Sequence, residues 1–226
     1  HPIPSRRWLE AGGHNALDPF AALAFCAAVT EQIRLMTNVV VVPYRNPFLL
    51  AKMVATVDVL SEGRTILGAG TGYLRAEYRA LGVEFDERNE LFDEALDTIL
   101  AAWSGDEVTF EGRHFTASSN RAHPEPVQQP HPPIWIGGHT GPAIRRAAKY
   151  GDGWMPYLMS PEMYKESVKL VKTSAKEFGR EDHPMEYLHN IFIVVKGPLD
   201  EACDEVAGGE RYGESRSAEF AMKYDI

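Results

Sequence analysis

The sequence predicts an α/β fold in which short parallel strands alternate with helices, and three observations carry that prediction. Apolar runs rich in β-branched residues are short, as strands buried on both faces are. Each of these runs delivers the chain to a Gly or Pro loop, and several loops lead into a polar cap followed by proline, the signature of a helix start. The alternation then recurs along the chain without a short-period repeat or a low-complexity stretch. With 226 residues, 44% of them apolar and 24% charged, the chain has the balance of an ordinary globule rather than of a disordered or fibrous one.

The elements follow in order. Asp18-Pro19 caps a helix over Phe20 to Gln32, and Ile33 to Val42 holds six β-branched residues before Pro43, which predicts a strand over Leu35 to Val42. Asn46-Pro47 repeats the cap, and Phe48 to Leu60 forms a helix closed by Gly63. Arg64 to Leu67 opens a strand that reaches the turn Gly68-Ala69-Gly70-Thr71-Gly72. The clearest helix comes after Gly82: Leu91, Phe92, Ala95, Leu96, Ile99, Leu100 and Trp103 share one face, with Glu90, Asp93, Glu94 and Asp97 on the wet side. A hairpin excursion follows at about 107–117, and then a Pro-rich extended segment from Pro124 to Pro133. Ile134 to Ile136 is a buried strand, Pro142 to Tyr150 a helix, and Trp154 to Leu158 a strand. Ser160-Pro161 caps a helix to Phe178, and Tyr187 to Val195 is the last strand.

Composition narrows the function. Twenty-three Lys and Arg against 32 Asp and Glu leave a net charge of −9, which disfavours nucleic acid as a partner. The longest apolar run, Phe20 to Val29, has about half the length a membrane-spanning helix needs, so no membrane is expected. Two cysteines without metal-type or redox-type neighbours point to a reduced, cytoplasmic protein. None of the eight histidines stands in a paired metal spacing, and no metal is expected.

An alternating βα order is satisfied by a doubly wound sheet or by a (β/α)8 barrel. The turn Gly68 to Gly72 lacks the spacing of a dinucleotide fingerprint. A complete barrel, however, needs about 250 residues. The motifs decide between them. Arg34-Leu35-Met36-Thr37-Asn38-Val39-Val40-Val41-Val42-Pro43-Tyr44-Arg45-Asn46-Pro47 is one. Leu67 to Gly72 with Tyr73, Glu77 and Gly82, then Phe85-Asp86-Glu87-Arg88, is another. Phe110-Glu111-Gly112-Arg113-His114-Phe115, and Pro132-Pro133-Ile134-Trp135-Ile136-Gly137-Gly138 with Gly151-Asp152-Gly153-Trp154, complete the set. In this order, over about residues 1 to 195, they resemble the luciferase-like monooxygenase superfamily, most closely its branch using the deazaflavin coenzyme F420.

The resemblance implies one (β/α)8-barrel domain over residues 1–226, with the hairpin as an insertion. Its first units, and the last strand beyond about Leu199, are expected to be absent from this sequence. His1-Pro2 looks like the tail of the family's second strand. The implied function is hydride transfer between F420 and a small organic substrate. The alternatives are an FMN-dependent monooxygenase using oxygen and a non-catalytic flavin-binding barrel. A homodimer is the expected assembly.

Site residues come partly from the residues and partly from the resemblance. Gly137, Gly138, His139 and Thr140 join a strand to a helix, where free N–H groups and the helix dipole suit a phosphate; a plain strand-to-helix turn would read the same way. The resemblance places a nonprolyl cis peptide at Asn38-Val39, against the central ring of the cofactor, and makes His1 the acid/base residue. Gly70 and Thr71 line the floor of the same pocket or form an ordinary turn. Trp154 and Met155 are pocket wall or core. Arg145 and Arg146 reach an anionic cofactor tail or lie on a solvated helix face.

Overall fold

In the computed structural model, which describes residues 2, 3, 5–10 and 16–190, the alternation resolves into a parallel sheet wrapped by helices. After α1 (Arg6–Glu10), Asp18 caps α2 (Pro19–Val29) by accepting from the N–H groups of Phe20 and Ala21. This helix stops before the expected Gln32. The Arg64 guanidinium takes up the carbonyls of Ala27 and Thr30, at 3.2 and 2.8 Å, which satisfies acceptors a helix end leaves open. Asn46 caps α3 (Pro47–Leu60) in the same way as Asp18.

The strand expected over Leu35 to Val42 is two short ones, β1 (Leu35–Met36) and β2 (Val40–Val41), followed by a 3-10 turn at Val42–Tyr44. Both pair with β3 (Thr65–Gly70): Met36 stands opposite Ile66 and Val40 opposite Ala69, so four steps on one side match three on the other. That is a bulge. Its cause is a close crossing at Gly68, where a Cβ would lie 1.7 Å from the Thr37 carbonyl oxygen. Thr37 Oγ1 donates to the Gly68 carbonyl at 2.8 Å and fixes the crossing. The Asn38–Val39 peptide within the bulge is cis.

A short helix that the sequence does not announce, α4 (Arg75–Ala80), follows β3 and precedes α5 (Arg88–Trp103). The hairpin is present as β4 (Val108–Glu111) and β5 (Thr116–Asn120). Then come β6 (Ile134–Gly137), α6 (Gly141–Tyr150), β7 (Gly153–Met155), α7 (Pro161–Lys176) and β8 (Glu186–Tyr187). β7 ends short of Leu158, which has φ 50°; β8 covers only Tyr187 of the expected last strand, and beyond it Asn190 meets Tyr157 in an isolated bridge. The rest of the expected last strand, 191–195, lies outside the described residues.

The sheet order is β1-β3-β6-β7-β8, with β2 also on β3, all parallel. One face carries Leu67, Ala69, Ile134, Ile136 and Trp154, packed against Val54 of α3, Phe92 and Leu96 of α5, Ala147 of α6 and Val171 of α7. The other gathers Ile66, Trp135 and Met155 with Met36 and Leu188, and among the described residues no helix contributes to it. A doubly wound sheet has helices on both faces. Helices on one face and strand side chains alone on the other mark the arc of a (β/α) barrel.

Buried polar side chains tie the layers together. Asp58, wholly buried on α3, accepts from the N–H groups of Val127 and Gln128 at 2.8 and 3.0 Å and from the Gln128 amide at 2.7 Å, holding the Pro-rich segment down. Glu94 is not simply on the wet side of α5: its Oε1 accepts from the N–H groups of His114 and Phe115, both at 2.8 Å, and anchors the hairpin. Asp93 pairs with Arg146 at 2.6 Å.

Trp154, Tyr164 and His189 stack in series, with ring centroids 5.6 and 5.1 Å apart. His189 Nε2 accepts from the Met159 N–H at 3.3 Å, and burial holds the imidazole below its ordinary value. A folded-state value below the unfolded one means the unfolded chain binds the proton more readily. The stability from this group is therefore present above the ordinary histidine range and lost as pH falls through and below it. A His189→Gln variant should show a flatter dependence of thermal midpoint on pH between about 7 and 5 than the parent. Parallel profiles would count against this assignment.

Candidate active site

The parallel register brings the ends of β2, β3, β6 and β7 to one level, since Val41 pairs with Gly70, Ala69 with Ile136, and Gly137 with Met155. At this C-terminal mouth the bulge turns the Val39 side chain over two glycines. A Cβ at Gly70 would lie 2.7 Å from Val39 Cγ2, and one at Gly137 would lie 3.0 Å from Val39 Cγ1. The glycines make room for valine, whose outer surface stays 40% exposed as a small apolar platform. Gly70 is thus buried beneath Val39 rather than forming the floor itself. Asn38 is exposed beside it.

Next to the platform, β6 runs through Gly137-Gly138 into α6. Gly138 has φ +108°, a conformation open to glycine and strained for any other residue. Its carbonyl accepts from Trp154 Nε1 at 2.9 Å. Thr140 occupies the N-cap position of α6 but its side chain does not cap, so its hydroxyl is not committed to the helix's own amides. His139 meets the Tyr157 ring edge-on at 5.5 Å, and its Nδ1 is buried without a hydrogen-bond partner among the described residues. A helix start without a side-chain cap, approached through two glycines and flanked by an unsatisfied imidazole nitrogen, fits an anionic group.

On the other side, the Tyr78 hydroxyl donates to the Thr71 carbonyl, which fixes the turn after β3. The Tyr44 hydroxyl donates to Glu77 Oε2 at 3.0 Å. Burial pushes both phenols above their ordinary value, with the Glu77 charge adding to the effect at Tyr44, so both stay protonated donors. A groove lined by Leu17, Asp18, Val39, Val41, Tyr44 and Arg45 runs alongside.

The structure therefore brings together Asn38, Val39, Gly70, Thr71, Gly137, Gly138, His139 and Thr140. Trp154 and Met155, read as pocket wall or core, are both buried. Trp154 is wholly buried in the core between sheet and helices and supports the α6 turn from behind, and Met155 is buried in the barrel interior beside Trp135. Alternation along β7 puts the two on opposite faces, Trp154 toward the helices and Met155, opposite Gly137, toward the interior. Arg146 is 2% exposed and bound to Asp93, which commits it to the packing of α6 on α5, while Arg145 pairs with Glu177 on the exposed surface. His1 lies outside the described residues. Sequence reasoning missed the Tyr44–Glu77 pair, for which an acidic residue inside the Tyr73 to Gly82 motif was the available signal. Among the described residues, no group of three or more His, Cys, Asp and Glu side chains could hold a metal ion, and no helix is long and apolar enough to cross a membrane.

A family model described as luciferase-like monooxygenase matches residues 5–222. An uncharacterised protein of Mycobacterium tuberculosis is 34% identical over 183 residues, 80% of this chain and 62% of the relative. The FMNH(2)-dependent dimethylsulfone monooxygenase of Pseudomonas putida is 28% identical over 178 residues, 77% of this chain and 48% of that protein. Among solved structures, an F420-dependent secondary alcohol dehydrogenase in complex with an F420-acetone adduct superposes with a TM-score of 0.77 at 21% identity, over 94% of this chain and 68% of that one. That likeness is one of fold. The chain spans 60% to 62% of the length of the first curated relatives it matches.

Proposed function

The chain belongs to the luciferase-like monooxygenase family, and from that premise we propose that it transfers a hydride between the deazaflavin coenzyme F420 and a small organic substrate. The observation that carries this reading is the Val39 platform on Gly70 and Gly137, set beside the uncapped start of α6. A flat ring needs an apolar rest of that kind, and its phosphate-bearing tail needs donors a short distance away. When bound, the deazaflavin supplies a two-electron acceptor that works without oxygen.

The protein's own residues do the rest. Val39 supports the ring by dispersion contact and keeps water from that face. The amides at the start of α6, with the Thr140 hydroxyl and the His139 imidazole, hold the phosphate. When an alcohol is oxidised, its carbon–hydrogen bond leaves as hydride and its hydroxyl proton needs an acceptor; His1 is the residue the family resemblance offers. We place the protein in the cytoplasm as a homodimer. An FMN-dependent monooxygenase is the second reading, favoured by the likeness to the Pseudomonas putida enzyme.

Titrating the full chain separately with FMN and with the deazaflavin, and following the visible spectrum, tests the proposal. Saturable perturbation by the deazaflavin, with FMN binding at least about tenfold more weakly, is expected. Tighter FMN binding would shift the assignment to the second reading, and no binding of either would overturn both. Gly138→Val is a poor probe of the phosphate contact, because φ +108° strains any side chain there. Thr140→Ala is the clean one: the exposed hydroxyl does not cap α6, so the fold should be untouched while affinity falls several-fold, the loss of one hydrogen bond worth about 1 kcal/mol. Unchanged affinity in both Thr140→Ala and His139→Ala would place the phosphate elsewhere.

A further inference from the structure

Behind the wall of the mouth lies a carboxylate that hydride transfer does not use. Glu77, on α4, is wholly buried, and its Oε2 accepts from the Tyr44 hydroxyl at 3.0 Å. Tyr44 closes the 3-10 turn after β2, and its ring meets Tyr78 edge-on at 4.7 Å and 73°. Tyr78 in turn holds the Thr71 carbonyl and packs edge-on against Phe85, over which Arg75 and Arg88 lie at 4.0 and 3.9 Å from the ring centroid. Gly72, at φ +74°, comes so close to the end of β2 that a Cβ there would lie 2.7 Å from Val41 Cγ1 and 3.5 Å from the Tyr44 hydroxyl. The Tyr44–Glu77 bond thus ties the segment carrying Val39 to the turn carrying Gly70 and Thr71.

Stability alone is a weak reason for such a pair. Taking a carboxylate out of water is costly, and apolar residues of similar volume often serve a buried site as well or better. A directional hydrogen bond does something apolar contact does not: it fixes one distance and one angle between the elements it joins. Burial, with the Glu77 charge beside it, keeps the Tyr44 phenol protonated as the donor of that bond.

We infer that Glu77 is a positioning residue that, acting through Tyr44, sets the separation between the end of β2 and the Gly70–Gly72 turn, and so the width of the slot that receives the cofactor ring. The inference rests on the reading of the mouth as the cofactor site. Tyr44→Phe alone would take the hydroxyl away from a buried carboxylate and disturb its burial, so two other changes to the full chain are the test. Glu77→Gln keeps an acceptor for the Tyr44 hydroxyl. The double variant Tyr44→Phe/Glu77→Met removes both polar groups and keeps the volume. Thermal melts without cofactor and spectral titrations with FMN and the deazaflavin are read for each.

The double variant should melt near the parent temperature yet bind the cofactor on the order of tenfold more weakly, with an altered visible spectrum of the bound ring. Glu77→Gln should restore affinity to within about threefold of the parent. Parent-like affinity and spectrum in the double variant would overturn the positioning role while leaving the cofactor site intact. A double variant that fails to fold, where Glu77→Gln folds and binds normally, would make the pair structural and overturn it equally. Binding of neither cofactor by the parent would defeat the underlying reading, and the inference with it.

Discussion

Gly68→Ala should be among the most damaging single substitutions in this protein, because its methyl carbon would lie 1.7 Å from the Thr37 carbonyl oxygen and 2.7 Å from Met155 Cε. Side chains can move aside, but the oxygen belongs to backbone fixed on both sides by pairing of Leu35 and Met36 and of Val40 and Val41 with the same strand. Relief requires the bulge to lift off β3, which breaks the Thr37 Oγ1 bond to Gly68 and carries Val39 with it. The expected loss is about 3 kcal/mol or more, at the upper end for overpacking. Cofactor binding should disappear in whatever fraction remains folded. Gly70→Ala is the control: its nearest neighbour is a Val39 methyl at 2.7 Å, so the cost should be closer to about 1 kcal/mol and fall mainly on binding. Denaturant melts of both variants check the order, and equal losses would show that the crossing at Gly68 is not the rigid point.

Asp58→Ala should have an effect of similar size through different physics. The Asp58 carboxylate is wholly buried and receives two backbone N–H groups and one side-chain amide across about 70 residues of sequence. Removing it leaves the N–H groups of Val127 and Gln128 without an acceptor under the Pro-rich segment, while the Gln128 amide keeps the Thr65 carbonyl, an expected loss of about 3 kcal/mol. Asp58→Asn retains an acceptor oxygen but turns a second donor toward the Gln128 amide, so it should fall between parent and alanine variant. Hydrogen exchange at 126–128 should rise in the alanine variant before the sheet itself opens. Unchanged exchange there would mean that the segment is held by other contacts.

Local chemistry explains which parts of this molecule were legible. Asp18-Pro19, Asn46-Pro47 and Ser160-Pro161 start helices because a cap and a proline at the first position need nothing from the rest of the chain. The valine run over 39–42 reads as an unbroken strand, since the interruption is imposed by Gly68 from across the sheet and leaves no mark in the run itself. The cis peptide at Asn38–Val39 came from family resemblance alone. Residues 137–140 were legible as a strand-to-helix turn because their glycines are local, whereas Trp154 and Met155 required knowing which face of β7 looks outward. Asp58 did carry a signal: it shares the helical stripe of Leu50, Ala51, Val54 and Ala55, all buried, where a charge needs a partner.

The central claim is that the platform of Val39 and the start of α6 together form the cofactor site. Hydrogen exchange of the full chain with and without saturating deazaflavin tests it most directly, because it reports where binding occurs as well as whether it does. The account predicts protection concentrated in 37–41, 70–73 and 137–143, with little change at the opposite end of the strands around 152 and 183. Protection absent from those three segments, or centred on the opposite end of the strands, would contradict it.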